Sequence, residues 1–257
     1  MSQTPVLTVS NLVKTFPSTD GGVFTAVNNI SFTLHHGEIL GLLGPNGAGK
    51  TSTIQMLLST LTATSGEVAY FGKNFFKHRS DCLQSVGFAS TYVSMPGNFT
   101  VMNNLMLHGR LYGLGGRALK KTIEKYLTIF GVLDVGNQNT KTLSAGQKTR
   151  VMLVKAFMTQ PKIVLLDEPT ASLDPDIAYQ VRQFIMQQQR ELRVSILLTS
   201  HNMDEVTEMC DRVLVMQAGS IVADDSPAAL AARITATTHT KPTLEDYFLH
   251  VARGGKA

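Results

Sequence analysis

The chain has little of what marks a secreted, metal-stapled or membrane-spanning protein. Its 257 residues include only two cysteines, Cys82 and Cys210. Neither belongs to a CxxC pair or has a histidine at ligand spacing, so a disulfide framework or zinc site is not expected and both read as reduced packing residues. No apolar run approaches the roughly 20 residues of a membrane-spanning helix; the longest, Ile39–Leu43 and Ile163–Leu166, are strand-length. The opening Met1-Ser2-Gln3-Thr4-Pro5 has no basic segment leading into an apolar core, so no secretory signal and a cytoplasmic location are expected. The formal charge of +4 comes from scattered basic residues rather than a stripe. A solvated surface is therefore expected, with no nucleic acid as partner. There is no long internal repeat.

What is present suits one compact domain with an ordinary apolar core, 43% of residues being hydrophobic. Val6–Val9 and Ile30–Leu34 read as strands separated by a loop containing Pro17, Asp20, Gly21 and Gly22. Glu38 leads into Ile39–Leu43, the continuous apolar run of a strand buried on both faces. A helix marked by Ile54, Leu57, Leu58 and Leu61 follows and fails near Thr62–Gly66. Glu67–Phe71 and Val86–Ala89 are short strands expected to complete the first sheet. From Asn103 the character turns helical, with Leu119, Ile123, Tyr126, Leu127 and Phe130 on one face and a second, buried helix over Ser144–Thr159. Two further buried strands, Ile163–Leu166 and Val194–Thr199, flank a helix outlined by Ile177, Val181, Phe184 and Ile185. A hairpin around Gln217-Ala218-Gly219-Ser220, a small-residue helix and a polar tail complete the chain. Such alternation predicts an α/β fold.

Gly44-Pro45-Asn46-Gly47-Ala48-Gly49-Lys50-Thr51 matches the P-loop pattern GxxxxGK[ST] and lies between a predicted strand and a predicted helix, the context its mechanism requires. Glycines let successive N–H groups point at phosphates, the helix N-terminus adds a positive dipole end, and Lys50 supplies a point charge. These residues, with Ser52, form the expected phosphate-binding set, and Thr51 is placed to offer its hydroxyl to Mg²⁺. Asp167 and Glu168 stand where the strand Ile163–Leu166 emerges, at the edge where α/β sheets bind ligands. Asp167 is the expected magnesium ligand and Glu168 the expected base that polarises a water.

Leu143-Ser144-Ala145-Gly146-Gln147 resembles the LSGGQ signature of the ABC ATPase family, with one Gly replaced by Ala. The resemblance implies a P-loop NTPase with a RecA-like core, an antiparallel β-subdomain and a helical subdomain of about 92–159 in a domain of 1–235, followed by a C-terminal tail, 236–257. It implies that Ser144, Gly146 and Gln147 bind ATP held by an opposite subunit, in a homodimer or a heterodimer with a paralogue. Ser172-Leu173-Asp174 resembles the loop that signals between sites. His201 falls where the family contacts the γ-phosphate, and Phe16 resembles the adenine-stacking aromatic, a core position being its other reading. The remaining histidines, His35, His36, His78, His108, His239 and His250, read as structural or exposed. Thr91 stands where the family carries a magnesium- and water-contacting Gln. Gly37-Glu38-Ile39, Leu111–Gly113 and Leu244–Leu249 are similar to the ATPases of bacterial ABC-2-type exporters. That likeness implies an ATP-hydrolysing subunit at the cytoplasmic face of the inner membrane, working with an integral membrane permease. A soluble ABC ATPase of translation or repair, and a module that closes on ATP without turnover, are the alternatives.

Overall fold

In the computed structural model the polar stretch after Val9 does not interrupt the opening ribbon. Strands β1 (Pro5–Pro17) and β2 (Val23–His35) pair antiparallel from Pro5↔His35 to Pro17↔Val23. Register shifts between Val9 and Leu12 and between Lys14 and Thr15 absorb the irregular pattern, while Leu12, Val27 and Ile30 stay buried. Pro17 is tolerated because it closes the ladder, where a missing N–H costs little. The described residues are 5–18, 21–90, 93, 95–234 and 242–252; Thr91, Tyr92 and His239 lie outside them. They gather into two compact units, residues 1–82 with 195–257, and residues 83–194.

In the first unit β3 (Ile39–Leu43) is buried at every position and leads through the glycine loop into α1 (Lys50–Leu57). That helix stops earlier than expected, capped at Leu58 with Ser59 in the left-handed region. β4 (Ser65–Tyr70) then pairs antiparallel with β1, and β5 (Lys73–Asn74) with β4, giving a sheet of order β2-β1-β4-β5. A short helix, α2 (Arg79–Leu83), buries Cys82.

The expectation that Val86–Ala89 completes this first sheet is corrected. β6 (Val86–Ser90) pairs parallel with β7 (Ile163–Asp167), in register from Val86↔Ile163 to Ser90↔Asp167. Its near-continuous apolar character suits a parallel pair covered on its faces. Gly87 is needed there because a Cβ would collide with the carbonyl oxygen of Ala156. The second unit adds α3 (Val101–Leu111), α4 (Gly116–Ile129), α5 (Ala145–Phe157) and α6 (Pro175–Leu192). Phe184 of α6 gathers the ring edges of Tyr126, Phe130 and Phe157, with centroids 6.3, 4.7 and 5.1 Å away, the edge-to-face geometry aromatic rings prefer.

The chain returns to the first unit through β8 (Ser195–Thr199), α7 (Met203–Met209), β9 (Arg212–Gln217) and β10 (Ser220–Asp225). β3 lies parallel between β8 and β9, and β10 turns back on β9 in the expected hairpin. After α8 (Pro227–Ala232) the stretch expected as a polar tail carries α9 (Leu244–Ala252). Leu244, Tyr247 and Val251 bury its one apolar face, and Thr243 and Asp246 cap its start reciprocally at 2.8 and 3.2 Å. Among the described residues no helix is long and apolar enough to cross a membrane.

An ion cluster built on the buried Glu38 ties four strands of this unit together. Glu38, 7% exposed, accepts from Arg212 Nε at 2.7 Å and from the His35 amide at 2.7 Å. Arg212 also donates to both Asp224 oxygens, at 2.7 and 2.9 Å, and to the Thr33 carbonyl at 2.6 Å. Arg212→Ala would strand Glu38 without its counter-charge, so a loss of about 3 kcal/mol is expected. Calorimetry should show Tm falling by roughly 6–12 °C. In the second unit, burial and then the Lys155 charge hold the His108 pKa at about 4 against an ordinary 6.5. The unfolded chain takes up that proton first as pH falls, so stability should drop between pH 6.5 and about 4. Urea unfolding of His108→Gln should show a flatter slope across that window.

Candidate phosphate-binding site

The loop between β3 and α1 is built by close backbone approach. A Cβ at Gly44 would sit 2.5 Å from the Met216 carbonyl oxygen, and one at Gly49 would collide with the Ala26 carbonyl oxygen. Gly49, at φ 103, is also the N-cap of α1 and provides no side-chain cap. The first N–H groups of α1 therefore have no side-chain acceptor at the N-cap, the arrangement that receives an anion at a helix N-terminus. Gly219, in the β9–β10 turn, accepts from the Asn28 amide at 2.8 Å and donates to the Ala48 carbonyl at 3.2 Å, bracing the loop from behind. Pro45, Asn46 and Gly47 are exposed, and open space lies over Gly47. Lys50 arches over the loop, its Nζ donating to the carbonyls of Gly44 at 2.6 Å and Pro45 at 3.2 Å. Thr51 is exposed and Ser52 half-buried in the first turn of α1.

In the second unit Asp167 ends β7, 4% exposed, and its Oδ2 accepts from Ser90 Oγ at 3.1 Å across the parallel pair. Glu168, half-buried, follows at φ 55. A non-glycine residue held in the left-handed region costs on the order of 1 kcal/mol, strain of the kind found where a side chain must be aimed. Hydroxyl and carboxylate oxygens are the donors a hard cation such as Mg²⁺ accepts. Among the described residues no group of three or more His, Cys, Asp or Glu is placed to hold a metal.

Ser144 is the N-cap of α5 and forms a capping box with Gln147: the Gln147 amide donates to Ser144 Oγ at 3.2 Å, and the Ser144 amide to Gln147 Oε1 at 3.0 Å. Leu143 is buried beneath this turn. A Cβ at Gly146 would press to 3.2 Å from the Ser172 carbonyl, so the expected signalling loop packs directly on the signature. Asp174 starts α6 with Pro175 in its first turn. His201 is exposed immediately beyond β8, ahead of Asn202, whose side chain caps α7 by accepting from the Asp204 and Glu205 amides. Phe16 is half-buried on β1 rather than a core residue, with Lys14 Nζ 4.8 Å from its ring centroid.

Residues 27–171 match the ABC transporter family. The chain belongs to that family. Over 248 residues it is 34% identical to the probable multidrug ABC transporter ATP-binding protein YbhF of Escherichia coli K12, covering 96% of this chain and 41% of that protein. Over 209 residues it is 35% identical to the Nod factor export ATP-binding protein I of Neorhizobium galegae, covering 80% of this chain and 59% of that one. The chain thus spans 41–59% of the length of these relatives. Its fold is similar to the dimeric ATP-binding cassette MJ0796 in a post-hydrolysis state bound to ADP and Pi, at TM-score 0.80 and 20% identity over 86% of this chain and 98% of that one. The architecture is that of a P-loop ABC ATPase.

Within this ABC cassette, two supporting residues escaped the reading of the sequence. Ser90 steadies Asp167, and its only signal was its place at the end of an apolar strand. Arg150 donates to the carbonyls of Phe130 at 3.2 Å and Gly131 at 2.9 Å, just past α4, and to Gly146 at 3.4 Å. Its spacing from Gly146 on one helix face was visible; its partners after α4 were not. Ser144→Ala removes the capping acceptor and should lower stability by about 1 kcal/mol. Gln147→Ala should do much the same, and the double variant should cost less than the sum, as read by denaturant unfolding.

Proposed function

We propose that this chain binds ATP with Mg²⁺, hydrolyses it, and powers a separately encoded integral membrane permease, most naturally an exporter. The observation that carries the reading is the phosphate loop: an uncapped helix start, open space above Gly47 and a lysine arched over the turn. The export assignment draws on the relatives, named for multidrug and Nod factor export. ATP supplies a γ-phosphoryl group whose transfer to water is favourable but slow without catalysis.

On this reading the amides from Gly44 to Gly49 and the start of α1 through Ser52 hold the phosphates, and Lys50 balances their charge. Thr51 and Asp167 would hold the magnesium ion, which when bound would neutralise charge developing on the phosphates. Glu168 accepts the proton of the attacking water and is aimed by its left-handed backbone, while His201 orients the terminal phosphate. Phe16 stacks on the base. Ser144, Gly146 and Gln147 serve an ATP bound by a second subunit, a second copy or a paralogue, giving a two-fold dimer. The cassette extends over 1–235, with its helical subdomain at about 92–159, and 236–257 follows it; the protein works at the cytoplasmic face of the membrane.

Glu168→Gln should bind ATP with near-native affinity, yet release phosphate about 10²–10⁴-fold more slowly when assembled with the permease. Lys50→Ala should weaken ATP binding itself. A native complex with no more phosphate release than the Glu168→Gln complex would refute hydrolysis and leave a module that closes on ATP without turnover.

A further inference from the structure

Phe24 is a large aromatic left 56% exposed on β2, beside Val23 at 70%. It stands directly opposite Phe16 in the antiparallel ladder, and directly opposed residues share one face of the ribbon. Lys14, two positions before Phe16 on that strand, lies over the Phe16 ring and is held by a 2.9 Å bond to the Thr62 carbonyl. One neighbour of Phe16 along the strand is therefore a cation, and its neighbour across the ribbon is a second ring.

The same strand backs the phosphate loop. Ala26, two residues after Phe24, presents the carbonyl oxygen that leaves no room for a Cβ at Gly49, and Asn28 bonds the turn that braces Ala48. Two residues of strand advance the chain by about 7 Å. Phe24 thus stands within the span of one nucleotide from the loop that would hold the phosphates, its ring open to solvent on the ribbon.

We infer that Phe24 is a second base-binding residue, forming with Phe16 and Lys14 the wall against which a planar nucleobase stacks. The inference rests on the ATP reading above and goes beyond it by giving the base subsite two aromatic contacts, one on each strand of the ribbon. Both recognise a π-face rather than a hydrogen-bonding edge, so affinity at this wall follows ring area.

The test compares ATP with inorganic tripolyphosphate, which lacks sugar and base, by calorimetric titration of the full chain. Phe24→Ala should weaken ATP binding by about 5–20-fold, within the range of one lost stacking contact, and leave tripolyphosphate binding unchanged. Phe24→Trp should restore or tighten ATP binding. Native ATP affinity in Phe24→Ala would overturn the inference. Equal losses for ATP and tripolyphosphate would overturn it too, placing Phe24 in the scaffold of the loop. If the native chain binds neither compound, the ATP reading falls and this inference with it; if it binds both and Phe24→Ala changes neither, only this inference falls.

Discussion

Three backbone segments of the first unit meet at the phosphate loop with no room between them. The Ala26 carbonyl of β2 presses on Gly49, the Met216 carbonyl of β9 presses on Gly44, and the Gly219 turn bonds both Asn28 and Ala48. Glycine at these contacts is a steric requirement before it is a functional one: the loop can follow its path only where side chains are absent. The consequence runs outward. β2 must extend far enough past the core to reach the loop, which is why the ribbon outgrows its apolar segments. The β9–β10 hairpin must turn where it does, and Gln217 beside that turn is in turn held by the Val251 carbonyl at 3.0 Å.

Such a frame concentrates demand at its other end, where the same strands leave the sheet. β2 finishes at Thr33 and His35, β3 begins after Glu38, and β9 and β10 pass alongside; all four are joined through Arg212. A guanidinium suits this junction because its planar fork can satisfy two carboxylates and a carbonyl at once. The burial of Glu38 makes its pairing with Arg212 costly to break rather than strongly stabilising to have, since desolvation offsets much of the attraction. Its effect is to fix register: a slip of one residue in any of the four strands would separate at least one pair.

Local chemistry was legible in the sequence, and long-range pairing much less so. The glycine loop, the helix start at Ser144, and the apolar runs of β3, β7 and β8 declare themselves because each is set by neighbours within a few residues. Val86–Ala89 has the composition of a strand, but nothing local says whether it pairs antiparallel with β4 or parallel with β7. The same limit hid Arg212, whose partners lie up to 179 positions away, and Arg150. α9 was missed for a different reason: its acidic first turn reads as polar, while the apolar face at Leu244, Tyr247 and Val251 is only three residues wide.

The two ends of a nucleotide are met by different physical means in this fold. Phosphate recognition belongs to amides and a helix dipole, whose positions are set by packing that few substitutions can alter without unfolding the loop. Base recognition, on the proposed reading, belongs to side chains on a ribbon that projects beyond the sheet, where Phe24 is mostly exposed and Phe16 half-buried. Such positions tolerate exchange, because an exposed ring contributes little to the core. The reaction centre is therefore constrained by the backbone, whereas on this reading affinity for the base can drift with two side chains without disturbing the chemistry at the phosphates.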